Sequence, residues 1–267
     1  MRFSWKPILL VFLFFLFFYF SFTSRPKLPV RLAGSTAFQP FAEILAETYM
    51  AKYPETIIDV QGGGSAVGIM ASQQGIVDIG MADMLSLPKD VDHLERVIVA
   101  RDGIAVIVNR DNKMEDISFE TLGKIFSGDI KKWDDLGIKS SAIRVISRED
   151  GSGTRKSFDQ LVLGKKKLTR DAMFQDSNGT IRESVKNDPN AIGYISIGYL
   201  TEDVKPLKID GYEATNENVI NESYKIARPV FLILKSNTSK EARKFLDYML
   251  SSEGQKNIAD EGLIPVK

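Results

Sequence analysis

Apolar and polar positions along this chain follow two periods, and each change of period marks an element. The run Val30 to Ala33 is short, apolar and strand-like. From Phe41 the period lengthens: Phe41, Ile44, Leu45, Thr48 and Tyr49 recur at helical spacing until Pro54 ends the pattern. Ile57 to Val60 predicts the next strand, Val67, Ile69 and Met70 a helix reaching Gly75, and Val77 to Gly80 a third strand leading to Ala82-Asp83. Two β-rich runs follow, Arg96 to Ala100 and Gly103 to Val108, then a helical stretch from Ser118 to Phe126. Ile143 to Ile146 predicts a strand, and Phe158, Leu161 and Val162 a helix. Asn178 to Lys186 reads as a helix, Ala191 to Ile195 as a short strand and Ile226 to Leu234 as a long one. Ala242, Phe245, Leu246, Met249 and Leu250 place a last helix from Ser239 onward.

Strands and helices that alternate through short connections predict an α/β fold with a mainly parallel sheet. In such sheets, ligands sit beyond the carboxyl ends of the strands. Three runs of small and hydroxyl residues fall at those ends, each where a helix begins: Gly34-Ser35-Thr36, Gly62-Gly63-Gly64-Ser65 and Gly151-Ser152-Gly153-Thr154. A helix start carries unpaired N–H groups and partial positive charge, and a hydroxyl adds one more donor. Three starts converging on one cleft would surround a small oxyanion with donors. Arg148, four residues before Ser152, supplies a fork for bidentate recognition, and Asp150 is a carboxylate within reach to orient it.

Composition narrows the field. At 267 residues and 43% apolar, the chain can bury a core large enough for two lobes. Lys plus Arg (35) equals Asp plus Glu (35), so no basic field points to nucleic acid, and an anion site must be built locally. Cysteine is absent, which excludes disulfides and thiolate metal sites, and His93 is the single histidine. A Ser-His-Asp triad or a His-rich metal cluster is therefore not expected. Ser65 and Ser152 have no nearby histidine, Gly-x-Ser-x-Gly and the Walker phosphate loop are missing, and neither catalysis, such as phosphate-ester hydrolysis, nor a cofactor is expected. At the N-terminus, Arg2 and Lys6 precede an apolar run from Ile8 to Phe20, and no acidic residue occurs before Arg25. This is an export signal over residues 1–24, either cleaved or retained as an anchor. The rest of the chain is expected outside the cytoplasm, in the periplasm or on the outer face of the membrane.

The same motifs resemble one family. Ala33-Gly34-Ser35-Thr36, Gln61 to Gly68, Asp78 to Asp83, Ile130-Lys131-Lys132-Trp133-Asp134-Asp135, Arg148 to Thr154, Ile192-Gly193-Tyr194 and Arg228-Pro229 occur in the order found in phosphate-binding proteins of ABC-type phosphate uptake, the PstS type. The resemblance implies a two-lobed type II periplasmic binding protein, each lobe a mainly parallel sheet flanked by helices. Residues 25–107 and 229–267 would form one lobe and 108–228 the other, with hinge crossings near Val108 and Arg228. It implies inorganic phosphate as ligand, an ABC permease as partner, a monomer, and membrane contact only through an uncleaved leader. Carried over residue by residue, Thr36, Ala37, Ser65, Asp83, Arg148, Ser152, Gly153 and Thr154 would bind phosphate. Ser35, Gly64 and Asp150 would support them. Asp83 would then favour hydrogen phosphate over sulfate, molybdate or a phosphonate, since a carboxylate repels a fully ionised oxygen and accepts from a protonated one. Two positions depart from the family: Ala37 follows Thr36 where a bulky aromatic is frequent, and no lipidated cysteine follows the leader.

Overall fold

The computed structural model describes residues 28–139 and 142–266. The leader at 1–24 lies outside the described residues; among those described, no helix is long and apolar enough to cross a membrane. Strand β1 (Val30–Gly34) leads into helix α1 (Gln39–Lys52), β2 (Ile58–Gly63) into α2 (Ser65–Gln74), and β3 (Ile79–Asp83) ends beside the starts of both helices. Strand β3 begins two residues later than the apolar pattern suggests. The Asp78 carboxylate accepts from the Arg31 amide, which holds residue 78 in the turn, and strand pairing starts at Leu32 opposite Ile79. Strand β2 runs on into the glycines, where the register with β1 shifts at Gly34.

The two β-rich runs around residue 100 are one strand, β4 (Glu95–Asn109). The segment Arg101–Gly103, which breaks the apolar pattern, stays extended because it pairs antiparallel with Ala227–Pro229. Further along come β5 (Asp116–Ile117), α3 (Phe119–Ser127), β6 (Arg144–Arg148) and α4 (Gly153–Phe158), the last continued by a π-helical turn over Asp159–Leu163. Then follow β7 (Met173–Gln175), α5 (Asn178–Lys186), β8 (Ala191–Ser196), β9 (Val204–Pro206), β10 (Lys208–Ile209) and α6 (Asn216–Ile220). The chain closes with β11 (Ala227–Leu234), α7 (Lys240–Met249), α8 (Ser252–Asp260) and β12 (Ile264–Pro265). Helix α8, a second C-terminal helix, has too few apolar residues for its period to be read: Ile258 is its one buried large aliphatic.

The main sheet has strand order β2-β1-β3-β11-β4-β8-β6-β7. Pairs on either flank are parallel, while β11 and β4 run antiparallel to their neighbours in the middle. Two principal cores lie along it. Val30 through Ala100 and Val230 through Leu263 supply one, centred on Leu32, Phe41, Leu45, Ile79, Leu232 and Phe245. Ile104 through Ile226 supply most of the other, around Phe126, Trp133, Phe158, Ile181 and Tyr194. The change of core falls between Ala100 and Ile104 on β4, and between Ile226 and Val230 on the return. Two lobes are thus joined by two paired strands, an arrangement suited to a hinge.

Candidate functional site

The carboxyl ends of β1, β2 and β3 in the first lobe face the end of β6 and the start of α4 in the second. Thr36 and Ala37 sit in the turn between β1 and α1, Ser65 opens α2, Asp83 ends β3, Arg148 ends β6, and Ser152, Gly153 and Thr154 open α4. Ser35, Ala37, Ser65, Asp83, Arg148, Ser152 and Thr154 are all buried, although most are polar. Gly64, with φ of +88°, takes a conformation that favours glycine, and so lets the chain leave β2 and enter α2 at once. The structure thus brings the sequence-predicted residues together, with one exception.

That exception is Asp150. Its side chain is 95% exposed and pairs with Arg155 at 2.6 Å. The residue that holds Arg148 is Glu149, whose carboxylate accepts from Nε and Nη2 of Arg148 at 2.9 Å each. The turn after β6 points residue 149 back at the guanidinium and residue 150 outward, so the expectation for Asp150 is corrected. Nη2 of Arg148 also donates to Thr36 Oγ1 across the lobes and to the Asp176 carbonyl, each at 2.9 Å. Its Nη1 is buried and has no partner among the described residues. Arg148 itself is 1% exposed, so this donor is withheld from water as well. The amides of Thr36 and Ala37 likewise take no acceptor among the described residues.

The lobes meet closely here. The Ala66 amide donates to the Gly151 carbonyl at 3.1 Å, and Tyr199 Oη to the Thr36 carbonyl at 3.1 Å. Thr154 Oγ1 donates to Asp83 Oδ2 at 2.6 Å. Gly153 packs so tightly that a Cβ there would stand 2.3 Å from Ser65 Oγ and 2.4 Å from the Asp83 carbonyl oxygen.

Beneath these groups lies a charge cluster that the sequence reading did not assign to the site. Arg228, fully buried on β11, donates to Asp83 Oδ2 from Nε at 2.9 Å and Nη2 at 2.7 Å, and to Thr154 Oγ1 at 3.0 Å. Directly opposite in register stands Asp102, 3.0 Å from the same Nη2 and accepting from Ser196 Oγ at 2.8 Å. The signal available in sequence was a lone charged residue in the apolar run of β11 and the charged pair Arg101-Asp102 between the two β-rich runs of β4. Asp83 also accepts from Ser65 Oγ at 2.7 Å. Burial works to raise the Asp83 carboxyl, but Arg228 and the hydroxyls of Ser35, Thr154 and Ser65 outweigh it and hold the group below its ordinary range. At Asp102 burial wins against Arg228 and Ser196, and its pKa is pushed up to about 6.

The sign of that shift yields a stability prediction. A folded-state pKa near 6 against an ordinary 3.8 means that the folded chain binds the Asp102 proton more tightly. Its contribution is complete below the unfolded value and lost as pH rises through about 6. Asp102→Asn abolishes the titration. On going from pH 7.5 to 4.5, the wild type should gain on the variant by about 2 kcal/mol in urea unfolding. Parallel pH curves for the two proteins would refute the assignment.

Comparison with known proteins places this geometry. A model of the PBP superfamily domain matches residues 22–253. The phosphate-binding protein PstS of Bacillus subtilis is 37% identical over 244 residues, covering 88% of this chain and 80% of the relative. A solved structure from Clostridium perfringens, assigned to a phosphate ABC transporter substrate-binding protein with bound phosphate, superposes with a TM-score of 0.86 at 39% identity, covering 90% of this chain and 100% of that one. An ABC-type phosphate transport receptor from Vibrio cholerae gives a TM-score of 0.75 at 30% identity, over 88% and 99% of the two chains. With this coverage, and with the family's motifs gathered between two hinged lobes, the chain belongs to the PBP superfamily and, within it, to the PstS family of phosphate-binding proteins.

Proposed function

We propose that this protein is an extracytoplasmic receptor that captures inorganic phosphate between its lobes and delivers it to the permease of an ABC importer. The observation that carries this reading is Arg148: a buried guanidinium, held across the lobe junction by Thr36, with Nη1 left for a ligand. Around it, the free amides of Thr36 and Ala37 and the first-turn amides of Gly153 and Thr154 would complete a shell of neutral donors. Ser152 Oγ accepts from the Arg155 amide, so its proton remains available to the anion. Gly64 and Ser35 support the shell by shaping the turns.

The relatives are named for binding and transport, and no histidine stands in the donor set to activate a hydroxyl. His93 lies exposed beside the turn at Lys89–Val91. This favours capture without catalysis. Export rests on the cationic and apolar N-terminal pattern, and the same segment would tether the receptor if it is retained. Calorimetry on the purified protein tests the reading: phosphate should bind at neutral pH and sulfate should compete feebly. Equal competition by sulfate would sink it, since that outcome requires a site indifferent to the ligand's proton.

A further inference from the structure

Helix α1 carries a proline in its first turn, and that proline leaves a carbonyl open. The turn ahead of it already bonds as a helix does: the Gln39 amide donates to the Ser35 carbonyl at 3.0 Å. The next bond in that series would run from residue 40 to the Thr36 carbonyl. Residue 40 is Pro40, which has no N–H to give and whose ring crowds the carbonyl four residues before it. Among the described residues the Thr36 carbonyl has one hydrogen-bond partner, the Tyr199 hydroxyl at 3.1 Å, and it comes from the second lobe.

Tyr199 is held in place on several sides. It closes the short turn Ile197–Tyr199 after β8, and Nη1 of Arg182 on α5 donates to its carbonyl at 3.1 Å. Its ring meets Phe41 of α1 edge-on, with 6.2 Å between centroids. Gly198 leaves room for the same phenylalanine, since a Cβ there would stand 2.8 Å from Phe41 Cζ. Burial raises the phenol above its ordinary range, so the hydroxyl keeps its proton and acts as the donor.

We propose that Tyr199 is a positioning residue for the bound anion: by holding the Thr36 carbonyl it fixes the peptide plane between residues 36 and 37, and so aims the Ala37 amide at phosphate. The proposal rests on the reading of the cleft as a phosphate receptor. In a trans peptide the C=O and the N–H share one plane and point in opposite directions. A bond to the carbonyl therefore sets the direction of the amide as well, and it polarises the N–H into a stronger donor. Ala37 is buried, and its amide takes no acceptor among the described residues, so that donor is kept from water. Arg148 secures Thr36 through Oγ1, but a side-chain bond leaves the following peptide free to rock. The Tyr199 hydroxyl removes that freedom.

Tyr199→Phe deletes the hydroxyl and keeps the ring on Phe41. By calorimetry the variant should bind phosphate at least about threefold more weakly than the wild type, the effect of losing one neutral hydrogen bond. Amide spectra of isotopically labelled protein give a readout that lobe packing alone would not move. Saturating phosphate should shift the Ala37 amide proton downfield in the wild type. In Tyr199→Phe that phosphate-induced shift should be smaller, while the shifts of Gly153 and Thr154 on the second lobe match the wild type. An affinity within about threefold of wild type, or an Ala37 shift unchanged by the substitution, overturns this inference alone. So does a loss of shift shared equally by Ala37, Gly153 and Thr154, which would report looser closure of the lobes. A wild type that binds no phosphate overturns instead the receptor reading on which the inference rests.

Discussion

Arg148→Ala is expected to weaken phosphate binding by roughly 30-fold to several thousand-fold, the about 2–5 kcal/mol lost when one member of a buried charge-assisted pair is removed. The size follows from burial: with the guanidinium 1% exposed and its Nη1 unpartnered, a bound anion would meet it without competing water. Deleting it also removes the bond from Thr36 Oγ1 to the second lobe, leaving only that from Tyr199 to the Thr36 carbonyl. The fold should survive, because the Glu149 side chain left behind is 35% exposed and can be hydrated. Calorimetry on the variant gives the answer directly, and an affinity within about threefold of wild type would remove Arg148 from the site. Neighbouring carboxylates sharpen the test. Glu149→Gln should cost measurable affinity, since Glu149 orients the fork, whereas Asp150→Asn should bind as wild type does, because Asp150 is exposed and engaged with Arg155.

Gly153→Ala carries the second large expected effect. A methyl placed there would meet Ser65 Oγ at 2.3 Å and the Asp83 carbonyl oxygen at 2.4 Å, and the second of these is backbone in the sheet of the other lobe. Ser65 cannot swing away without giving up its bond to Asp83. The lobes must therefore part, and with them go the bonds from Thr154 to Asp83 and from Ala66 to Gly151. Overpacking of this kind costs about 1–3 kcal/mol, so phosphate affinity should fall roughly tenfold to a hundredfold. Solution scattering gives an independent reading. The wild type should contract when phosphate is added, as two lobes close on one ligand, and Gly153→Ala should contract less or not at all. A variant that binds and contracts like the wild type would show that the lobes do not approach at Gly153.

The α/β class, the alternation of strands with helices, and the three helix starts at strand ends were legible because each depends on a local period or a local turn residue. Arg148 was legible for a related reason, standing at a strand end just before one of those turns. The choice between Glu149 and Asp150 was not. Adjacent residues in a turn differ in direction, and that direction depends on where the second lobe places the β6–α4 connection. The unity of β4 was also hidden, since Arg101–Gly103 stays extended through pairing with β11, more than a hundred residues away.

Arg228 and Asp102 mark the same limit most clearly. Arg228 is one charged residue in an apolar strand and Asp102 belongs to the polar break Arg101–Gly103 within β4, and sequence spacing places neither near the site. Pairing β11 with β4 sets them opposite one another, and the pairing of β3 with β11 brings Asp83 to the same guanidinium. By itself the sequence determined which elements form and which turns can offer donors to an anion, because propensity, periodicity and turn chemistry act within a few residues. Only the tertiary structure decided which carboxylate holds which arginine and which way the buried hydroxyls point. Those choices depend on charges shielded from water and brought together by strand pairing across the whole chain.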